Sequence, residues 1–225
     1  MNSNYKVIKF RSDSLKEVSD QISIEEPLEI ILKYKNKEDW IENTISITMR
    51  TPGDDEDLVT GFLFNERVIE KINHIENIEA SGEPVGQYKL KNKIIITVNN
   101  SENIDIDKIK RNFLTNSSCG VCGKTSLESL EIIKKDKILK SIPKINHETI
   151  MKSPDTLRQS QSEFSKTGGI HASGLFKANG EVVAVKEDVG RHNALDKLIG
   201  FVLKQNLLDN SSQFLTCSGR LNFDL

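Results

Sequence analysis

Residues 169–203, GIHASGLFKANGEVVAVKEDVGRHNALDKLIGFVL, contain the clearest secondary-structure signals in the sequence. Two β-like runs flank Asn179-Gly180, a dipeptide favoured in tight hairpin turns, so we predict a β-hairpin over residues 169–185. Asp188 is then placed to cap a helix whose apolar stripe is Leu195, Leu198, Ile199, Val202 and Leu203. A further strand over 214–217 would complete a βαβ crossover.

The N-terminal half predicts short strands around one helix. Runs 29–34 and 45–49 are β-like and should pair, and runs 88–90 and 94–98 suggest a second pair. Thr51-Pro52-Gly53-Asp54 is typical of a helix start with Thr51 as the N-cap. That helix would bury one apolar face, made by Leu58, Val59, Phe62 and Leu63. In the second half, Ser153-Pro154 should begin another helix that runs to about residue 164.

Composition excludes several classes of protein. The chain has 225 residues, 36% of them hydrophobic and 28% charged, as in ordinary globular proteins, and its length is enough for two domains. A net charge of −2 provides no basic field for nucleic acid or an anionic membrane. The N-terminus lacks the apolar core of a signal peptide, and no run is long enough for a membrane span, so we expect a cytoplasmic protein.

Two of the three cysteines, Cys119 and Cys122, share the short motif Cys119-Gly120-Val121-Cys122. In a reducing cytosol such a pair is available for reaction or for a metal. A complete zinc site would have to recruit distant ligands such as Cys217 or a histidine, and a dithiol oxidoreductase would cycle between thiols and a disulfide. A third use is sulfur transfer, in which one thiolate carries a persulfide and the neighbouring thiol expels it.

A ligand site is predicted where strands and helices end. The turn from Asp188 to Asn193 could receive phosphate at a helix N-terminus, with Arg191 supplying a charged fork. Ser218-Gly219-Arg220 ends a neighbouring strand, and Gly169 lets backbone amides approach a ligand. Together these features suit a nucleotide or another pyrophosphate-bearing ligand. His171 and His192 fit either a structural or a catalytic role.

Several blocks of sequence, in this order and spacing, strongly resemble the formate dehydrogenase accessory sulfurtransferases, the FdhD/NarQ family. The resemblance covers about residues 25–225. The blocks are RTPGDDEDL at 50–58 with GFL at 61–63, SCGVCG at 118–123, GGIHA at 168–172 and EDVGRHNALDKL at 187–198.

This resemblance implies a cytoplasmic sulfur carrier. It would take sulfur from a cysteine desulfurase onto Cys119, with Cys122 as the partner thiol, and pass it to the molybdenum bis(guanine dinucleotide) cofactor of formate dehydrogenase. The protein would act as a homodimer without a tightly bound metal of its own, and with neither nucleic acid nor a membrane as a partner. From their positions and charges in the sequence, and not from the resemblance, the residues expected to bind the cofactor are Gly169, His171, Asp188, Arg191, His192, Ser218 and Arg220.

The resemblance also implies an α+β protein in three sections. These are a small N-terminal α+β domain over 1–115, a cysteine loop and connector over 116–145, and an α/β domain over 146–225 similar to cytidine deaminases. We expect the last domain to be incomplete, because relatives continue beyond the Ser-Gly-Arg block. Deaminase chemistry is not expected, because Ser173 stands where those zinc enzymes have their catalytic Glu.

Overall fold

Helices and strands are mixed along the chain, as the predicted α+β class requires. The computed structural model describes residues 1–11, 13–99, 144–208 and 212–221. The elements are β1 (Asn2–Arg11), β2 (Ser14–Ser23), β3 (Glu26–Asn36), β4 (Asp39–Arg50), α1 (Asp55–Asn65), a 3-10 turn (Ile72–His74), β5 (Ile75–Ser81), β6 (Lys93–Val98), α2 (His147–Ser160), α3 (Ser162–Thr167), β7 (His171–Lys177), β8 (Val182–Asp188), α4 (Arg191–Lys204) and β9 (Gln213–Cys217).

The first two strands form a hairpin that the sequence patterns did not reveal. β1 and β2 pair antiparallel along their whole length, with Asp13 in a left-handed conformation between them. The base of the hairpin rests on α3, where Asn2 Nδ2 donates to Glu163 and Ser23 Oγ donates to Thr167 Oγ1, both at 2.8 Å. Adjacent apolar residues such as Val7 and Ile8 point to opposite faces, so no alternating pattern marks the strand.

A four-stranded sheet with the order β4-β3-β6-β5 carries the N-terminal core. β3 pairs antiparallel with β4, as predicted, and parallel with β6. The predicted partner of β6 is wrong: β6 pairs with β5, whereas Leu90 makes only an isolated bridge to Val85. A β-bulge between Ile75 and Asn77 disturbs the period of two in β5, and this explains why the strand was missed.

Helix α1 covers this sheet with the predicted apolar face. Leu58, Val59 and Leu63 are buried, and Phe62 packs against the same cluster. The predicted N-cap is wrong, because the helix begins at Asp55 and Asp54 occupies the cap position with a φ of 56°. Arg50, buried to 1% exposure, holds this left-handed turn through a bidentate ion pair from its Nε and Nη2 to the carboxylate of Asp55, both at 2.9 Å.

A second sheet with the order β8-β7-β9 forms the C-terminal core. The predicted hairpin is confirmed, since β7 and β8 pair antiparallel across the Asn179-Gly180 turn. β9 also runs antiparallel to β7, so β8 and β9 are parallel with β7 between them. The predicted β8-α4-β9 crossover therefore passes over one strand. Leu157 of α2 packs with Ala172 and Phe176, and Leu198 and Val202 of α4 pack with Leu175.

Helix α2 differs from its prediction. It begins at His147, after the N-cap Asn146, and Pro154 lies inside it. A proline removes the N–H that would bond to the carbonyl four residues earlier, which here belongs to Ile150. Ser153 Oγ donates to that same carbonyl at 2.9 Å, so the helix tolerates the proline. The helix ends at Ser160, and the short α3 follows.

Helix α4 joins the two halves of the molecule. The predicted cap is wrong here also, because Gly190 is the N-cap and Asp188 is the last residue of β8. α4 packs against α1 where Gly61 and Gly200 allow close backbone contact. A Cβ at Gly61 would collide with the carbonyl of Asp196, and a Cβ at Gly200 with the carbonyl of Asp57. The order of layers is therefore α2, the second sheet, α4, α1 and the first sheet.

The predicted boundaries at 115 and 145 stay predictions. The first boundary and nearly all of the connector lie outside the described residues. In the part of the chain that the structure describes, no helix is both long and apolar enough to cross a lipid bilayer.

Candidate ligand site

The topology of the second sheet brings several predicted site residues to one edge. His171 is the first residue of β7 and pairs with Asp188, the last residue of β8. Ser218 follows the end of β9, and its backbone N–H donates to the carbonyl of Ala172 at 2.9 Å. Arg191 and His192 open α4 directly after β8. The start of β7 and the carboxyl ends of β8 and β9 thus meet, at the kind of edge where open α/β sheets bind ligands.

Three polar side chains gather around Gly219. Ser218 Oγ accepts a hydrogen bond from the N–H of Ala172 at 2.9 Å and lies 3.4 Å from His171 Nδ1. A Cβ on Gly219 would lie 3.3 Å from both His171 Nδ1 and the stem of Arg191. We call His171, Arg191, Ser218 and Gly219 the ligand cluster. It combines an imidazole, a guanidinium, a hydroxyl and the N-terminus of a 14-residue helix, groups that bind phosphate oxygens.

Asp188 is engaged entirely inside the protein. Its side chain is completely buried, and its Oδ2 lies 2.7 Å from Lys197 Nζ while accepting from the N–H of Thr51 at 3.1 Å. Its Oδ1 accepts from the N–H of Gly190 at 2.9 Å and from Asn193 Nδ2 at 3.1 Å. The carboxylate thereby shapes the turn that leads into α4. Direct contact between Asp188 and a ligand stays a prediction.

The other predicted residues lie outside this cluster. Gly169 is exposed and follows Gly168, whose φ of 70° ends α3. Arg220 is also exposed, two residues beyond Ser218. A polar cavity of about 230 Å³ opens between the 51–54 turn and β8, and it is lined in part by Ile170, Lys186 and Glu187. Neither Arg191 nor Arg220 lines it, so the cavity and the ligand cluster are separate features.

The sequence patterns missed two residues that build the site, Thr51 and Lys197. Thr51 Oγ1 accepts from the N–H of Val189 at 3.1 Å, so its partners lie more than a hundred residues away. Lys197 Nζ donates to the carbonyl of Thr51 at 2.7 Å and is 1% exposed. The sequence did contain a sign of the role of Lys197. This lysine lies on the apolar side of its helix, with Ala194 and Leu198, and a lysine in such a place is rarely buried without a partner.

The cysteines fall into two groups. Cys119 and Cys122 lie outside the described residues, so their predicted role stays a prediction. Cys217, at the end of β9, is half-buried, with its Sγ 3.4 Å from Ser173 Oγ. Burial raises the pKa of the Cys217 thiol, which favours the protonated and less nucleophilic form.

The described residues contain no group of three or more His, Cys, Asp or Glu side chains placed to hold a metal ion. The Cys119/Cys122 pair lies outside this search. The expected lack of a resident metal therefore stays a prediction.

Comparisons with known proteins agree with the resemblance in sequence. The chain is 41% identical to the sulfur carrier protein FdhD of Picrophilus torridus over 209 residues, 92% of this chain and 73% of that protein. It is 40% identical to the protein of the same name from Streptomyces coelicolor over 222 residues, 98% of this chain and 76% of that protein.

A solved structure shares the fold. It is the crystal structure of a candidate formate dehydrogenase accessory protein from Desulfotalea psychrophila, with a TM-score of 0.64 and 25% identity, covering 98% of this chain and 75% of that one. The FdhD/NarQ family model matches residues 23–225. With nearly the whole chain covered by that model, the protein belongs to the FdhD/NarQ family.

Proposed function

We propose that this protein is a cytoplasmic sulfurtransferase required for formate dehydrogenase activity. It accepts persulfide sulfur from a cysteine desulfurase on Cys119 and transfers that sulfur to the molybdenum bis(guanine dinucleotide) cofactor. The observation that carries the proposal is the family match over residues 23–225, together with relatives named as sulfur carriers at up to 41% identity. The Cys119-Gly120-Val121-Cys122 motif lies inside that match.

Two thiols, Cys119 and Cys122, account for every S–S bond that forms and breaks during the sulfur transfer. The Cys119 thiolate attacks the terminal sulfur of the desulfurase persulfide, forms a new S–S bond and releases the desulfurase cysteine as a thiolate. The Cys122 thiolate then attacks the inner sulfur of the Cys119 persulfide, which forms the Cys119–Cys122 disulfide and releases the terminal sulfur to the cofactor as hydrosulfide. A cellular dithiol must reduce that disulfide before the next cycle.

The ligand cluster is our candidate for the cofactor's nucleotide arms. Each arm carries a pyrophosphate, and the Arg191 guanidinium and the first N–H groups of α4 are donors suited to its oxygens. His171 and Ser218 add hydrogen-bonding groups from the neighbouring strand ends. In this proposal His192, Gly169 and Arg220 complete the binding surface, the buried Asp188 shapes the turn behind it, and two copies of the chain act as a homodimer.

Intact-protein mass spectrometry tests the sulfur-carrier proposal. The protein is incubated anaerobically with a cysteine desulfurase and cysteine, then weighed without reductant. We expect the wild type to gain the mass of one sulfur atom and Cys119→Ser to gain none. Cys217→Ser is the matched control and should gain sulfur like the wild type, because that thiol is half-buried and held protonated.

The same experiment separates the two alternative functions. A zinc-stabilised adaptor would contain stoichiometric zinc that is lost in both Cys119→Ser and Cys122→Ser, without added sulfur. A dithiol oxidoreductase would lose two hydrogens on oxidation and never carry the extra sulfur. If Cys119→Ser restores formate dehydrogenase activity in cells that lack the native copy, the sulfur-carrier proposal is wrong.

A further inference from the structure

The turn that presents Arg191 is held by the N-terminal half of the molecule. The N–H of Val189 donates to Thr51 Oγ1 at 3.1 Å, and the N–H of Thr51 donates to Asp188 Oδ2 at 3.1 Å. Asn193 Nδ2 donates to the carbonyl of Met49 at 2.7 Å, and Lys197 Nζ donates to that of Thr51 at 2.7 Å. These bonds between 49–51 and 188–197 form what we call the joint.

The joint is buried, so its geometry is firmly determined. Thr51 is 3% exposed, Asp188 0%, Asn193 8% and Lys197 1%. A buried polar group that loses its partner costs about 1–3 kcal/mol when no other group replaces that partner. Any shift of the Val189–Gly190 turn relative to strand β4 would leave several such groups unpaired. The turn is therefore fixed from the N-terminal side.

The residues of the ligand cluster come from two parts of the fold, and the joint sets the position of one part relative to the other. His171 and Ser218 belong to strand ends held by the second sheet, where Ser218 N and Oγ both bond to Ala172. Arg191 comes instead from the start of α4, and its stem packs against Gly219, where an added Cβ would lie 3.3 Å from Arg191 Cβ and Cδ. The position of Arg191 against His171 thus depends on the turn before it.

We propose that Thr51 is a positioning residue of the ligand cluster, acting through the Val189–Gly190 turn on the placement of Arg191. This inference rests on the proposed binding of the cofactor's nucleotide arms at the cluster. Thr51 is suited to the task because its N–H, its carbonyl and its hydroxyl are all used in the joint. The N-terminal sheet then contributes to ligand affinity without contacting the ligand.

The test compares two substitutions at position 51 that differ in the hydroxyl group. Thr51→Val has nearly the same volume but leaves the N–H of Val189 without its acceptor, whereas Thr51→Ser keeps the hydroxyl. The probe is guanosine 5′-diphosphate, measured by isothermal titration calorimetry. We expect Thr51→Val to raise the Kd about tenfold and Thr51→Ser to stay within about twofold of the wild type.

Two further variants keep the test decisive. Thr44→Val is the matched control, because Thr44 lies on β4, the strand that precedes Thr51, and its hydroxyl donates to the half-buried side chain of Glu29 at 2.7 Å, outside the joint. If Thr51→Val does not fold, Thr48→Val takes its place, since it removes the single bond from Thr48 Oγ1 to Asn193 Oδ1 at 3.2 Å. It should weaken the binding of guanosine 5′-diphosphate in the same direction.

A double-mutant cycle distinguishes positioning from a general structural effect. If Thr51 acts through Arg191, Thr51→Val should weaken binding little further in the Arg191→Ala background. Losses that multiply, or a Thr51→Val protein that binds like the wild type, would overturn the positioning role alone. A wild-type protein that does not bind guanosine 5′-diphosphate would overturn the nucleotide site itself, and the positioning role with it.

Discussion

The two sides of the turn between β8 and α4 differ in burial and in what their polar groups contact. On the inner side, Asp188, Asn193 and Lys197 are at most 8% exposed and bond to one another and to residues 48–51. On the outer side, Arg191 is half-buried and lies beside His171 and Gly219. One short turn thus separates groups that hold the fold from groups that can meet a ligand.

The comparison shows that a buried ion pair can set the position of a ligand site on the other side of the same turn. Moving Asp188 and Lys197 out of water costs free energy, and their mutual attraction only partly offsets that cost. The pair is therefore weak as a source of stability. Because both charges need their partners, however, the pair specifies one arrangement of α4 against the turn at 49–51.

The largest effect is expected from breaking the inner side. Lys197→Met keeps much of the side-chain volume but leaves the buried Asp188 carboxylate without its cation. We expect the free energy of unfolding to fall by about 3 kcal/mol or more. Denaturation with urea, followed by circular dichroism, measures this loss.

Lys204→Met is the control for this prediction. Lys204 lies on the same helix and pairs with Glu56 at 2.9 Å and with Asp57 at 3.2 Å, but its side chain is 28% exposed. Asp57 keeps a second cation, Lys186 at 2.8 Å, when Lys204 is lost. Its loss should cost less than about 1 kcal/mol. Equal losses in the two variants would mean that burial of the Asp188–Lys197 pair does not matter.

A smaller effect is expected from pH at the neighbouring Asp196. The pKa of Asp196 is raised from 3.8 to about 7, chiefly by burial, while a hydrogen bond from Asn65 lowers it and the nearby charges of Glu66 and Asp188 add to the rise. Between these two pKa values the folded protein holds a proton that the unfolded chain has lost. The free energy of unfolding should therefore fall as the pH rises from 4 to 7.

Asp196→Asn should remove this contribution. The neutral amide can still accept the hydrogen bond from Asn65, and it does not titrate. We therefore expect the stability of the variant relative to the wild type to rise by about 2 kcal/mol between pH 5 and pH 8. Urea denaturation at both pH values gives the difference, in which the other titrating groups cancel. A constant gap between the two proteins would contradict the raised pKa.

Local sequence patterns correctly predicted the helices and strands that are determined by residues close together in the sequence. Asn179-Gly180 between apolar runs marked the β7–β8 hairpin, and the stripe around Leu198 marked α4. The same patterns failed where a contact outside the pattern decided the structure. The Ser153 hydroxyl compensates for Pro154 inside α2, and a bulge after Ile75 hides β5.

The residues of the candidate site also fall into those that local patterns predicted and those that they did not. His171, Arg191 and Ser218 were predicted, because glycines, charged side chains and element ends mark ligand sites in a sequence. Thr51 was interpreted as a helix cap, since nothing nearby reveals that its hydroxyl bonds to Val189. A bond between residues 138 positions apart depends on how the two sheets pack, which short-range patterns do not encode.

The smallest effect on stability is expected on the outer side of the turn. Arg191→Ala and His171→Ala each remove a half-buried side chain outside the joint, so the free energy of unfolding should change by less than about 1 kcal/mol. The affinity for guanosine 5′-diphosphate should nevertheless fall about tenfold in Arg191→Ala, because a charge-assisted hydrogen bond to phosphate is lost. Urea denaturation and calorimetry on the same samples measure both quantities. A large loss of stability with unchanged affinity would assign Arg191 to the fold and would erase the contrast between the two sides.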